Sequence, residues 1–141
     1  MAKIFVVEDE PLLQYFYKQI LTLNGFELVG IANDGEEAVS MFKSLSEKPK
    51  IILMDHRMPK KNGIEASKEI LELDKSVKII FITADNSIIE EAYSIGAFSI
   101  KDKPFTIKEL IDDVNEALKS MGDTDWEEEP ESFIEELKKY L

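Results

Sequence analysis

The segment IILMDHRMPKKNGIE, residues 51–65, decides how the chain is interpreted. Its first four residues are apolar, as in a strand buried on both faces. The next residue is Asp55, where a turn former would ordinarily end such a strand. A carboxylate at the end of a buried strand therefore requires a chemical explanation.

Short apolar runs alternate with stretches of helical periodicity before residue 122. We predict strands at 4–7, 26–32, 51–54, 77–83 and 97–100. We predict helices at 11–24, 34–45, 62–73, about 87–96 and 106–121. Strands that alternate with single helices form parallel βαβ units, so the expected fold is α/β, a doubly wound five-stranded parallel sheet with helices on both faces.

Single residues predict the ends and faces of these helices. Asp34, Ser87 and Thr106 are the predicted N-caps of three of them, each with a Glu three residues later that completes a capping box. The first helix is predicted to turn five apolar residues toward the core: Leu12, Leu13, Phe16, Ile20 and Leu23.

Composition limits the classes of function. The 141 residues, 44% hydrophobic, suit one domain, and the absence of cysteine excludes disulfides and thiol catalysis. A net charge of −12 repels phosphate backbones, so we expect no direct nucleic-acid partner. No apolar run approaches a membrane span and no signal peptide is evident, so we expect a soluble, cytoplasmic protein without a membrane partner.

Polar side chains follow the predicted strands where each one ends. Glu8 and Asp9 follow the first strand, Asp55 the third and Thr83 the fourth, and Lys103 comes shortly after the fifth. Because strand carboxyl ends form the site crevice in open α/β sheets, these side chains are expected to converge.

Three crowded carboxylates require a counterion. Two like charges about 4 Å apart cost on the order of 4 kcal/mol at an effective dielectric constant of about 20. Carboxylate oxygens suit Mg²⁺, with Mn²⁺ as an alternative, and Mg²⁺ sites commonly include phosphate oxygens. Asp55 is the predicted nucleophile toward phosphorus, because Glu8 and Asp9 are adjacent and better placed to hold the metal.

An ordered set of motifs resembles the receiver domain of two-component response regulators, in the single-domain form of chemotaxis regulators. The set is Glu8-Asp9, Asp55 with Met58-Pro59 and Gly63, Thr83-Ala84, and Lys103-Pro104-Phe105. The resemblance covers about residues 2–121, and we assign the receiver domain to residues 1–121. With it we expect the flavodoxin-like strand order 2-1-3-4-5.

The resemblance also implies a role for each matching residue. Asp55 would accept a phosphoryl group from a histidine kinase or a phosphotransfer protein, and the phosphorylated chain would bind a protein effector. Mg²⁺ would be held by Asp9, Asp55 and the backbone carbonyl of Arg57, with Glu8 acting through water. Thr83 and Lys103 would bind the phosphoryl group. Two further expectations are that Ala84 leaves room for its approach and that Lys103-Pro104 is a cis peptide.

Two positions depart from the family pattern. Ile100 stands where members of the family often have Tyr or Phe, a ring that turns inward when the Thr moves toward the phosphoryl group. We therefore predict a muted Thr83–aromatic switch. Phosphorylation would then cause only small conformational changes across residues 86–105, or the change would be carried by Phe98 or the backbone. Arg57 and Asp85 occupy positions that tune phosphate loss in the family. We predict that they pair across the entrance and slow the access of water.

Other interpretations stay open. A Mg²⁺-dependent phosphohydrolase could use the same Asp55, although Arg57 stands where that class usually has a second acid. A flavodoxin-like cofactor carrier is disfavoured because acids, not hydroxyls, fill the first loop. The strand-end acids could also be ordinary helix caps, and His56 is expected to be structural or exposed.

The last twenty residues differ from the rest. Residues 122–131 form an acidic linker, and 132–141 are predicted to form a short amphipathic helix. Its apolar face is Phe133, Ile134, Leu137, Tyr140 and Leu141. Such a short helix needs a surface, which its own domain, a partner or a second copy in a homodimer would supply.

Overall fold

The computed structural model describes residues 1–122 of the chain. The predicted linker and helix at 122–141 lie beyond residue 122, outside the described residues, apart from Gly122 itself. The strands are β1 Lys3–Val7, β2 Glu27–Ala32, β3 Ile51–Met54, β4 Lys78–Thr83 and β5 Ser99–Asp102. The helices are α1 Pro11–Leu23, α2 Gly35–Ser44, α3 Gly63–Leu73, α4 Ile89–Ser94 and α5 Ile107–Ser120, and a 3₁₀ turn, Asn86–Ile88, precedes α4.

The five strands form one parallel sheet in the order β2-β1-β3-β4-β5, as predicted. Alternate side chains divide the core into two layers. Ile4 and Val6 of β1 face the layer that contains α1 and α5. Phe5 and Val7 face the layer that contains α2, α3 and α4. All four residues of β3 are buried, since this strand is central and covered on both faces.

Local capping fixes where the helices begin. Asp34 accepts a hydrogen bond from the amide of Glu37 at 2.8 Å, and Thr106 accepts one from the amide of Glu109 at 3.1 Å, which confirms both predicted N-caps. The third prediction was wrong. Asp85, not Ser87, caps the turn before α4, and its carboxylate accepts from the amide of Ser87 at 3.0 Å.

The predicted stripe of α1 was partly wrong. Leu12 is 76% exposed and Leu23 is 41% exposed, whereas Tyr17 and Leu21 are buried. The buried face of α1 is therefore rotated by roughly one residue, about 100°, from the predicted face.

The fifth strand begins two residues later than predicted. The amide of Ala97 donates to the carbonyl of Ala92 and so belongs to the end of α4. The strand instead extends through Lys101 and Asp102, because an edge strand tolerates polar side chains.

Gly63 lets the first turn of α3 lie against the end of β3. A Cβ at this position would be 2.9 Å from the Cα of His56 and even closer to the carbonyl oxygen of Asp55. We expect Gly63→Ala to lower the free energy of unfolding by about 2 kcal/mol or more, because backbone atoms must move. Urea denaturation checks this. In the matched variant Gly30→Ala, the added methyl meets mainly the flexible end of Met41, and equal losses in both variants would contradict the account.

Candidate functional site

The carboxyl ends of the strands surround one cavity of about 310 Å³. Its lining contains every side chain that the sequence predicted to converge. The lining residues are Glu8, Asp9, Glu10, Asp55, Arg57, Thr83, Ala84, Asp85 and Lys103. Two of the predicted tuning residues, Ile100 and Pro104, lie outside this lining.

Glu8, Asp9 and Asp55 form a carboxylate cluster. One oxygen from each lies within 4.8 Å of the other two, a spacing that a single metal ion can bridge. Glu8 is 2% exposed and Asp55 is 7% exposed, whereas Asp9 is exposed to solvent. The donor set consists of hard oxygens, and it therefore fits a divalent cation such as Mg²⁺.

Lys103 supplies positive charge to this cluster. Its Nζ lies 3.2 Å from Oε1 of Glu8 and 3.6 Å from Oδ1 of Asp55. One ammonium contacts two of the three carboxylates, so the cluster keeps an excess of negative charge.

Backbone amides fix the orientation of the two buried acids. The amide of His56 donates to Oδ1 of Asp55 at 2.8 Å, and the amide of Glu10 donates to Oε2 of Glu8 at 3.1 Å. These bonds hold the carboxylates at the ends of β3 and β1 while leaving other oxygen lone pairs for a ligand.

Burial perturbs the protonation of both acids. Loss of water, followed by repulsion from Asp55, raises the pKa of Glu8 to about 7, although Glu10 and Lys103 act in the opposite direction. Burial also raises the pKa of Asp55 above its usual range, against the opposing effects of Lys103 and the amide of His56. The folded chain therefore stores electrostatic repulsion that a bound cation would relieve.

Thr83 and the entrance form the other side of the cavity. Oγ1 of Thr83 accepts a hydrogen bond from the amide of Asp85 at 3.0 Å, and Ala84 is exposed between them. Nη2 of Arg57 lies 3.3 Å from Oδ2 of Asp85, which confirms the predicted pair. Ser87 donates to the carboxylate of Asp85 and keeps the pKa of that group below its usual value.

The remaining predicted positions lie outside the lining of the cavity. Lys103-Pro104 is a cis peptide, as predicted. Ile100 is partly buried and packs in the apolar layer on the side of α2, α3 and α4, opposite Phe81 in the sheet register. His56 is partly buried, and its Nδ1 has no hydrogen-bond partner among the described residues.

Sequence reasoning missed Gln14. Its side-chain amide donates to the carbonyl oxygen of Glu8 at 2.5 Å and to Oδ1 of Asn33 at 2.8 Å. Gln14 thus ties the loop that carries Asp9 to the loop before α2. Its position in the first turns of α1 was the only available signal, and that signal does not distinguish it from a surface glutamine.

The fold and the site define a class of protein. The family model of the response regulator receiver domain matches residues 4–115. The chain therefore belongs to the response regulator receiver domain family. This membership is consistent with two-component signalling.

Individual relatives agree with the family. The chain is 36% identical over 119 residues to the chemotaxis protein CheY of Thermotoga maritima, covering 83% of this chain and 98% of that protein. It is 35% identical to CheY of Bacillus subtilis, covering 82% of this chain and 97% of that protein. It is also 35% identical to the transcriptional regulatory protein PdtaR of Mycobacterium tuberculosis, but it covers only 53% of that longer protein.

Solved structures agree as well. The crystal structure of the CheX–CheY–BeF3–Mg²⁺ complex from Borrelia burgdorferi contains a chain with a TM-score of 0.78 and 28% identity, covering 83% of this chain and 89% of that chain. Within residues 1–122, none of the helices is both long and apolar enough to cross a bilayer.

Proposed function

We propose that this protein is a phosphoacceptor response regulator whose Asp55 is phosphorylated by a histidine kinase or a phosphotransfer protein. The observation that supports it most is the position of the Asp55 carboxylate, at the end of the central strand, 3.6 Å from Lys103 and within the carboxylate cluster. Its proposed output is altered binding to a downstream protein, and we place this activity in the cytoplasm.

Asp9, Asp55 and the backbone carbonyl of Arg57 would hold Mg²⁺ or Mn²⁺, with Glu8 acting through a bound water. The ion would supply positive charge to the oxygens of the transferred group. Lys103 would pair with one phosphoryl oxygen, and the hydroxyl of Thr83 would donate to another. Each of these groups lies on the wall of the same cavity.

The proposed transfer is an in-line displacement. An oxygen of Asp55 forms a bond to phosphorus as the P–N bond to the donor imidazole breaks. The electron pair stays on the imidazole nitrogen, which takes a proton. The product is a mixed anhydride on Asp55, and its later hydrolysis returns the carboxylate and inorganic phosphate. The chain thus acts chemically only on itself.

Incubation with acetyl phosphate and Mg²⁺ tests the function against the phosphohydrolase alternative. Intact mass should show a single phosphoryl adduct, and free phosphate should appear no faster than that adduct decays. Rapid release of phosphate without accumulation of the adduct would favour the hydrolase. Omission of the divalent cation should prevent the adduct.

Arg57→Ala should shorten the lifetime of the phosphorylated state. Arg57 pairs with Asp85 across the entrance, and removing its side chain should admit water. The Arg57 side chain is 79% exposed, and exposed pairs contribute about 0.2–1 kcal/mol, so we expect about a two- to fivefold faster decay. Decay of the adduct by intact mass measures this.

The matched control is Lys60→Ala, which removes an exposed cation that pairs with Asp34 outside the cavity. Its decay should equal that of the wild type. Slower or unchanged decay in Arg57→Ala would count against the proposal that the Arg57–Asp85 pair slows the access of water.

A further inference from the structure

Asp85 contacts three parts of the molecule at once. Its amide donates to Oγ1 of Thr83 at 3.0 Å, on the wall of the cavity. Its Oδ1 accepts from the amide of Ser87 at 3.0 Å and from the Ser87 hydroxyl at 2.5 Å. Its Oδ2 faces Arg57. A single residue therefore joins the site to the first turn before α4.

The turn that Asp85 caps is attached to a short helix. Asn86–Ile88 leads directly into α4, which has only six residues. Ile88 is 6% exposed and Ala92 is fully buried in the layer beneath, whereas Ile89 and Tyr93 are exposed. A displacement of the capped turn must therefore shift α4 over its buried contacts and change the position of its exposed side chains.

Ile100 cannot provide an equivalent link. It is partly buried among apolar side chains and has no group that could exchange hydrogen bonds with Thr83. The hydrogen bonds of Asp85 are thus the only polar connection, among those described for residues 1–122, from Thr83 to the segment that precedes α4.

We propose that Asp85 is a positioning residue that transmits a movement of Thr83 to the turn Asn86–Ile88 and to α4. The proposal rests on the proposed phosphoacceptor function. The hydroxyl of Thr83 accepts from Asp85 and can donate to a phosphoryl oxygen at the same time. When Thr83 turns toward that oxygen, the amide of Asp85 follows its acceptor, and the carboxylate carries Ser87 with it.

If Asp85 acts in this way, the muted switch predicted from Ile100 should apply to β5 but not to the turn before α4. Changes in backbone amide chemical shift should be small in β5, Ser99–Asp102, because that strand lacks the aromatic side chain. Changes should be clear at residues 86–92, because they have a connection of their own through Asp85.

Two substitutions at one position separate capping from charge. Asp85→Ala removes the oxygen that Ser87 needs, whereas Asp85→Asn keeps an oxygen that can cap a helix but loses the charge toward Arg57. Ile100→Ala tests whether the side chain at position 100 transmits the movement instead. Each full-length protein is titrated with beryllium fluoride and Mg²⁺ as a phosphoryl mimic, and backbone amide shifts are recorded by NMR.

In the wild type, amides at residues 55–57 and at 87–92 should both shift. In Asp85→Ala, the site amides should still shift, but those at 87–92 should move by less than half of the wild-type amount. Asp85→Asn and Ile100→Ala should both retain most of the wild-type change at 87–92.

Two results would overturn the proposed role of Asp85 while leaving the phosphoacceptor function intact. One is shifts of wild-type size at 87–92 in Asp85→Ala, and the other is an equal loss of these shifts in Ile100→Ala. An absence of shifts at residues 55–57 in the wild type would instead overturn the phosphoacceptor function itself, and the proposed role of Asp85 with it. A well-dispersed spectrum of Asp85→Ala shows that the variant is folded.

Discussion

Asp55→Asn should carry no phosphoryl group after incubation with acetyl phosphate and Mg²⁺, whereas the wild type gains one adduct. An amide oxygen is a poor nucleophile toward phosphorus, and the other two acids of the cluster lie at the end of β1 rather than β3. Intact mass measures this loss, which we expect to be complete.

Asp112→Asn is the matched control, because this exposed acid lies on α5 and pairs with Lys108. It should be phosphorylated as fully as the wild type. An adduct of normal yield on Asp55→Asn would contradict the assignment of the phosphoacceptor.

The stability of the metal-free protein should fall as pH rises from 5 to 8. Glu8 has an ordinary pKa of 4.5, and its pKa in the folded chain is about 7, so between these values the folded state holds a proton that the unfolded chain has released. The free energy of unfolding therefore decreases with rising pH, by about 3 kcal/mol at most for a shift of this size. Asp55 contributes in the same direction.

Added Mg²⁺ should reverse this loss, and should stabilise the protein more at pH 8 than at pH 5, because the ion competes with the proton for the same oxygens. Glu8→Gln should remove most of the pH dependence. Urea denaturation at pH 5 and pH 8, with Mg²⁺ or with a chelator, measures all three effects.

Glu116→Gln provides the control, since Glu116 is exposed on α5, away from the cavity. Its pH dependence should match that of the wild type. A stability that rises between pH 5 and pH 8 would show that the buried carboxylates do not repel one another as described.

Much of the site could be predicted because strand ends are visible in the sequence. The apolar run at 51–54 ends at Asp55 and the run that includes β4 ends at Thr83, and both residues line the cavity. In a parallel sheet all carboxyl ends lie along one edge, so the order of the strands is sufficient to bring these residues together. The pairing of Arg57 with Asp85 was predicted from the positions that these residues occupy in the family pattern, and the structure confirms the pair.

Other features depended on information that apolar periodicity does not contain. Leu12 and Tyr17 are five residues apart, which places them about 140° from each other around α1, and only the packing of α1 against the sheet decides which of them is buried. Ser87 resembles an N-cap, yet Asp85 caps the turn, because a 3₁₀ segment precedes α4. Gln14 contacts two loops that are distant in sequence, so no local pattern identifies it.

The proposed function depends most on which atom carries the phosphoryl group. An acyl phosphate can be trapped by reduction with borohydride, and the modified residue can then be identified by peptide mass spectrometry. We predict a single reduced residue at position 55, formed only when a divalent cation and a phosphodonor are both present. Modification at Glu8 or Asp9, or a phosphoryl group on a hydroxyl that resists reduction, would contradict it.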